Sequence, residues 1–179
     1  MHLDWRRPHV WTESFTAILI CCLGLTTACR RQAPVHIGEK FTLGDLTYIV
    51  KSTRSQYRFT VPSLGEGVDA GHDATFFLVE MEIANNGKLS TRIIPTDFEL
   101  ETADGKKYSP DIQGTSIYPL FERHGFTEFH DSSLLQPRIP IPYAIVFRVP
   151  TNVVRNRLVL IVHEQAAFFF GGATAVALQ

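Results

Sequence analysis

Two stretches of this sequence hold side chains of the types that do chemistry. The first is Glu122-Arg123-His124-Gly125-Phe126-Thr127-Glu128-Phe129-His130-Asp131. Alternate residues of an extended strand share a face, so Glu122, His124, Glu128 and His130 would stand together there. Imidazole beside carboxylate is the donor set of a transition-metal site. A metal so held would make the chain a metal-dependent hydrolase. The pattern lacks the ligand spacing of any known metal site, however, and a solvated strand face with Phe129 turned inward produces it equally well. The reading adopted is that these four residues hold no metal and that the chain uses no cofactor. The second stretch ends at Cys29, a thiol placed directly after an apolar run and the small residues Thr27 and Ala28. Covalent modification rather than catalysis is the chemistry expected there.

The remaining motifs fall short of a reaction. Glu66, Asp69, His72 and Asp73 occupy a glycine-rich loop, Pro62–Asp73, but not at calcium-loop spacing. Gly65-Glu66-Gly67 lacks the Lys and the following helix of a phosphate loop. His163-Glu164 starts like a zinc-protease motif and then has Ala167 in place of the second His. Gly114-Thr115-Ser116-Ile117-Tyr118 misses the last Gly of a nucleophile elbow. Asp97 and Asp104 read as turn residues whose carboxylates bond nearby amides. No catalytic constellation emerges, and the chain reads as a non-enzyme.

Apolar side chains in connecting segments are the other candidates. Ser109–Gly125 is long for a connection in a small domain and holds Ile117, Tyr118, Leu120 and Phe121. Long loops often bind something, and Tyr and Phe are favoured interface anchors. Phe168-Phe169-Phe170 and the apolar tail Ala173–Leu178 invite the same reading. The plainer alternative is that the loop folds back over the core and that the tail covers a sheet edge.

Composition narrows the classes. Beyond residue 28 the chain carries 15 Lys and Arg against 16 Asp and Glu, with no block of one sign. That leaves no electrostatic footprint for nucleic acid. All three cysteines, Cys21, Cys22 and Cys29, fall in the first 29 residues. A folded part beyond Cys29 therefore has no thiol for a disulfide, a zinc site or a nucleophile.

The elements that must position these residues are strands. Leu46, Tyr48 and Val50 alternate with Thr47, Ile49 and Lys51, and Tyr57, Phe59 and Val61 with Arg58 and Thr60. In Thr75–Ala84, Phe77, Val79, Met81 and Ile83 take one face, and Glu80 and Glu82 the other. Asn85-Asn86-Gly87-Lys88 predicts a hairpin turn, because Asn and Gly tolerate positive φ. Phe98 and Leu100, then Tyr143, Ile145, Phe147 and Val149, then Leu158, Leu160 and Val162 continue the period of two. Leu158–Val162 is apolar on both faces and predicts a central strand. About seven strands at this spacing indicate an all-β, immunoglobulin-like antiparallel sandwich.

Several of these segments resemble a known family. Ile37-Gly38-Glu39-Lys40-Phe41, Leu46-Thr47-Tyr48-Ile49-Val50, Phe77 to Gly87, Pro95-Thr96-Asp97-Phe98-Glu99-Leu100, Asp104 to Tyr108 and Val146 to Pro150 are similar to telokin-like domains of bacterial lipoproteins. The resemblance implies an immunoglobulin-like sandwich and no agreed activity. It departs at Gln136-Pro137-Arg138-Ile139-Pro140, where the family often has a Pro-Gly turn.

The start of the chain fits that family. Arg6 and Arg7 precede an eleven-residue apolar run, Phe15–Leu25. Such a run suits a signal peptide and is about half of the ~20 residues that span a bilayer. Leu25-Thr26-Thr27-Ala28-Cys29 resembles a lipobox, with Thr26 where Leu is usual. That implies cleavage before Cys29 and fatty acylation of its thiol. The expected organisation is a signal peptide over 1–28, a lipidated tether over 29–36, the sandwich over 37–164 and an apolar tail over 165–179. The expected function is a lipid-anchored ligand-binding or interaction module of the cell envelope, held to the membrane by its lipid and meeting an envelope protein partner. Arg30 after the cysteine would favour an outer-membrane address in a Gram-negative host. The alternatives are the hydrolase above and a purely structural spacer.

Overall fold

Two runs of apolar residues, Phe76-Phe77-Leu78-Val79 and Ala144-Ile145-Val146-Phe147, lie on neighbouring strands, and the rest of the fold is layered around them. The computed structural model describes residues 33–60, 67–116, 134–164 and 172–178. In chain order the described strands are β1 (Val35–His36), β2 (Lys40–Leu43), β3 (Leu46–Gln56), β4 (Arg58–Thr60), β5 (Gly67–Asp69), β6 (Ala74–Asn85), β7 (Thr91–Arg92), β8 (Phe98–Thr102), β9 (Lys107–Tyr108), β10 (Leu134–Leu135), β11 (Ile141–Pro150), β12 (Leu158–His163) and β13 (Ala173–Ala177).

The main strands form two sheets. One is four-stranded, in the order β2-β3-β6-β11; the other is five-stranded, in the order β1-β13-β12-β8-β9. Neighbours run antiparallel except β1, which pairs parallel to β13. This is the β-sandwich expected from the alternation, and β12 is central in its sheet. Between the sheets Tyr48, Phe77, Val79, Met81, Ile83, Ile145 and Phe147 meet Phe98, Leu100, Leu158, Leu160, Val162 and Val176 in one buried cluster. An aromatic chain stitches the layers. Phe41 stacks on Tyr48 at 5.2 Å, Tyr48 meets Phe98 edge-on at 6.4 Å, and Phe98 stacks on Tyr143 at 5.8 Å. Such pairs add about 0.5–1.5 kcal/mol each beyond the area they bury.

A second cluster lies on the outer face of the four-stranded sheet. Phe59, Ala70, Phe76, Leu78, Ala144 and Val146 are buried there, with Phe59 against Phe76 at 4.6 Å. The two-stranded ribbon β4-β5 carries Phe59 to this face. The chain after β9 helps to cover it. The Asp111 amide donates to the Val146 carbonyl at 2.7 Å, and a helical turn over 112–116 follows. In that turn Thr115 is fully buried and its hydroxyl accepts the Val146 amide at 3.1 Å. Arg148 closes the rim, with its Nε 2.8 Å from Asp111 Oδ2 and its guanidinium over the Phe76 ring.

Three expectations are corrected. Tyr57 and Phe59 do not share a buried face, because the chain turns at Tyr57, which is half exposed, before β4 brings Phe59 down. Gly87 does not adopt a positive φ, and the turn is no hairpin: β6 pairs with β3 and β11, while the chain leaves the sheet for β7, which pairs with β10. Glycine fits at 87 for another reason, since a Cβ there would press on Oδ1 of the buried Asn85 at 3.0 Å. The expected tether gives its last two residues to the sandwich as β1, which pairs with β13; the tail does what its plainer reading held and covers an edge, with β13 paired to β12. An unpaired β12 would leave a row of amides and carbonyls without partners, and these segments supply them.

The outer cluster is a true core, so Phe59→Ala should destabilise the domain by about 3–5 kcal/mol, the range of a central large-to-small change. Urea unfolding of the full chain measures it; a loss under about 1 kcal/mol would show the ribbon to be loosely laid.

Candidate functional site

Both faces of the four-stranded sheet are engaged in packing over much of their length, so the loops at the ends are the free surface. One end is built around Asn85, which is completely buried at the close of β6. Its Nδ2 donates to the carbonyls of Leu89 at 2.8 Å and Leu135 at 3.0 Å, and its Oδ1 accepts the Gly87 amide at 2.9 Å. Its backbone carbonyl accepts the Arg138 amide at 2.7 Å. One residue thus ties the turn after β6 to the 134–138 segment. A buried amide with these bonds made is stabilising, and the same amide without them is costly.

The 134–138 segment turns where the resemblance departs. The Ile139 amide donates to the Gln136 carbonyl, with Pro137 and Arg138 between them. Arg138 has φ +65, the only positive φ of a non-glycine residue among those described. Pro followed by a positive-φ residue is the pattern of a type II turn, in which Gly is the unstrained choice. The turn therefore forms without its Gly, with arginine held in the left-handed region.

Beside these turns lies a recess of about 400 Å³, lined by Leu43, Gly44, Asp45, Leu46, Tyr48, Asn85, Leu89, Ser90, Thr91 and Glu164. Gly44 opens the two-residue β2–β3 hairpin loop with φ +54. That left-handed conformation is what selects glycine there, and the movable carboxylate of Glu164 lies close beside it. Glu164 is positioned by its Oε2, which accepts the Gly172 amide at 2.9 Å. The lining thus brings two carboxylates, three hydroxyls and three leucines together, with no Lys, Arg or His. Such a surface suits a group that donates hydrogen bonds or carries positive charge, attached to an apolar stem.

The electrostatics behind the recess are acidic as well. Asp97 is buried, and its Oδ2 accepts the Ile94 amide at 3.2 Å, as a turn-capping residue should. Burial raises the phenol pKa of Tyr48, and the Asp97 and Glu164 carboxylates raise it further. Tyr143 is shifted the same way by burial, then by Asp97 and Tyr48. The Tyr143 hydroxyl is buried with no hydrogen-bond partner among the described residues. Away from this end, Asp104 accepts the Thr102 hydroxyl, the largest cause of its lowered pKa.

The residues singled out from sequence fall elsewhere. Cys29, the apolar set Ile117, Tyr118, Leu120, Phe121, Phe168, Phe169 and Phe170, and the cluster Glu122, His124, Glu128 and His130 all lie outside the described residues. Asp69, His72 and Asp73 are described; Asp69 pairs with Arg58 at 3.4 Å across the ribbon, and His72 with Asp73 at 3.0 Å in water. Among the described residues no three His, Cys, Asp or Glu side chains converge as metal ligands. No helix among them is long and apolar enough to cross a membrane. The recess itself was missed: its lining comes from three segments far apart in sequence, none of them a motif. Gly44, at the positive φ of the β2–β3 turn, was the one local signal.

Residues 35–168 match the family described as domain of unknown function DUF4352. Solved structures share the fold at low identity. A conserved hypothetical protein from Bacillus anthracis superposes with a TM-score of 0.59 at 13% identity, over 70% of this chain and 87% of that one. The yjhA protein from Bacillus subtilis gives 0.57 at 14% identity, over 81% and 99%. An uncharacterized β-sandwich protein from Clostridium difficile gives 0.53 at 18%, over 83% and 96%. No curated protein matches the chain.

Two substitutions test the geometry of this end. Arg138→Gly should stabilise the fold by about 0.5–1 kcal/mol, because relief of the left-handed strain exceeds the added freedom of the unfolded chain. A lower melting temperature would show that the arginine makes contacts worth more than its strain. Tyr143→Phe should stabilise by about 1 kcal/mol, since it removes a buried hydroxyl that has no partner among the described residues. The raised phenol pKa favours the neutral form in the fold. Its contribution is therefore complete below the ordinary tyrosine value of about 10 and is lost as pH rises above it. Thermal melts at neutral and alkaline pH should show the variant losing less stability in alkali than the parent.

Proposed function

We propose, from the premise that this chain belongs to the DUF4352 family of domains of unknown function, that it is a non-catalytic binding module of the cell envelope, anchored by lipid on Cys29. Within that family we place it with the telokin-like lipoprotein domains that its opening strands and Pro95–Leu100 resemble. The recess at the Asn85 end carries the reading. It is concave, large enough for a small molecule and lined by apolar and acceptor groups, which is how binding sites are built. Its Asp45 and Glu164 carboxylates, with Leu43, Leu46 and Leu89 beside them, favour a ligand with a protonated amine on a short apolar stem. For a protein partner, the apolar side chains Ile117, Tyr118, Leu120 and Phe121 of the long loop and Phe168, Phe169 and Phe170 near the end are the proposed contacts.

The recess is tested with n-butylammonium and, as the uncharged control, n-butanol. A ligand that binds only the folded state raises its stability, by about 2.7 kcal/mol at one hundred times Kd. The ammonium compound should raise the melting temperature and the alcohol should not, and Asp45→Asn with Glu164→Gln should abolish the difference. Equal effects of the two compounds, or an effect indifferent to the two substitutions, would refute the amine site. The anchor is tested separately. Cys29→Ser should abolish acyl labelling and release the chain from membranes; retention with the leader intact would mean an uncleaved apolar anchor instead.

A further inference from the structure

We infer that the Asn85 end of the sandwich rests on the surface of the bilayer to which Cys29 ties the chain, with Leu89, Leu134 and Ile139 in the headgroup layer. The inference rests on the lipid anchor proposed above. Its first support is the direction of β1. Val35 lies opposite Val176 and His36 opposite Ala177, in parallel. β13 begins at Ala173, opposite His163, beside Glu164 and Gly172 at the recess. The chain that leads into Val35 therefore points towards the Asn85 end. Six residue steps separate Cys29 from Val35, a reach of at most about 20 Å. With the chain entering β1 from this side, a lipid on Cys29 holds this end next to the membrane.

The exposed apolar side chains point the same way. Seven large ones stand exposed among the described residues, and four belong to this end: Leu89 at 82%, Ile139 at 56%, Leu134 at 51% and Ile94 at 40%. Each of the first three has an exposed cation next to it. Lys88 precedes Leu89, Arg138 precedes Ile139, and Arg92 lies opposite Leu134 in the β7–β10 pair. Elsewhere Lys51, Arg58, Lys107 and Arg148 are in ion pairs with carboxylates. Apolar side chains interleaved with cations are what a phosphate-bearing lipid surface attracts, the first by burial and the second by charge. The strain of Arg138 has a reason in this setting, since the left-handed turn carries a long cation where glycine would leave none. The recess opens at the same end, so its carboxylates meet headgroups, among which ethanolamine bears an ammonium of the class argued above.

The test uses the full chain, processed in bacteria and purified with its acyl groups, in vesicles of phosphatidylethanolamine and phosphatidylglycerol. Processing removes Cys21 and Cys22 and acylates Cys29, so Leu134→Cys, Leu89→Cys and, at the far end, Tyr57→Cys each provide one reactive thiol for an environment-sensitive fluorophore. Labels at 134 and 89 should shift to the blue and be quenched by a lipid-borne quencher, while a label at 57 does neither. Combining Lys88→Glu, Arg92→Glu and Arg138→Glu should reduce the quenching at 134 several-fold, with the melting temperature reporting that the fold is intact. Water-like emission at both 134 and 89 in a chain whose mass shows acylated Cys29 overturns the docking and leaves the anchor standing. A chain with no acyl group on Cys29 overturns both.

Discussion

Burying both faces of β6 and β11 at once is the constraint on which the rest of this structure depends. Phe77, Val79, Ile145 and Phe147 point into the sandwich, whereas Phe76, Leu78, Ala144 and Val146 point out of it. The inner set requires a second sheet. The outer set requires a cover as well, since four apolar side chains open to water would forgo several kcal/mol of burial at roughly 1.5–3 kcal/mol for a large one. The β4-β5 ribbon and the 110–116 segment provide that cover. It stops where the outward residues become Glu80 and Glu82, which meet Ser52, Arg54 and Lys51 on the surface of β3. A change of residue type along a single strand thus fixes how far the third layer extends.

That layering decides where recognition has room. A sheet with packed faces cannot offer a broad flat surface, and β1 and β9 leave only two-residue strands at the margins of the five-stranded sheet. What remains is the loops at the ends. At the Asn85 end they are held by a few specific bonds rather than by bulk packing, so the segments that line the recess are positioned by the same amide that closes β6.

Much of the sandwich was legible from period-two alternation because each main strand carries a run of apolar residues on one face. The central position of β12 was legible from its two apolar faces. The outer cluster was not, although its signal was present in Phe76-Phe77-Leu78-Val79: four consecutive apolar residues in a strand whose other half alternates cleanly mean a face covered over part of its length. β13 was legible only as a tail that covers an edge, because Ala173-Thr174-Ala175-Val176-Ala177 has one large side chain and its role follows from what β12 lacks rather than from its own composition. The reading of Gly87 found the right residue for the wrong reason, since steric room and backbone freedom both select glycine and the sequence does not separate them. The recess was illegible for a different reason. Leu43 to Tyr48, Asn85, Leu89 to Thr91 and Glu164 are brought together only by tertiary pairing, and none carries a local pattern.

The departure from the resembling family at Pro137-Arg138 shows how a local rule and a site interact. Glycine at the second position of such a turn is conformationally neutral, and any L side chain there is strained by about 1–2 kcal/mol. A fold stabilised by two apolar clusters can carry that strain, but packing alone gives no reason to keep it, because Arg138 is exposed. The strain is also confined to one point, because the Arg138 amide is fixed to the Asn85 carbonyl and the next amide to Gln136. Relaxing the turn would break the bond that joins the 134–138 segment to β6 and, with it, the shape of the end that carries the recess. The arginine therefore belongs to the surface chemistry of this end, and the backbone around it is the part of the fold that holds that chemistry in place.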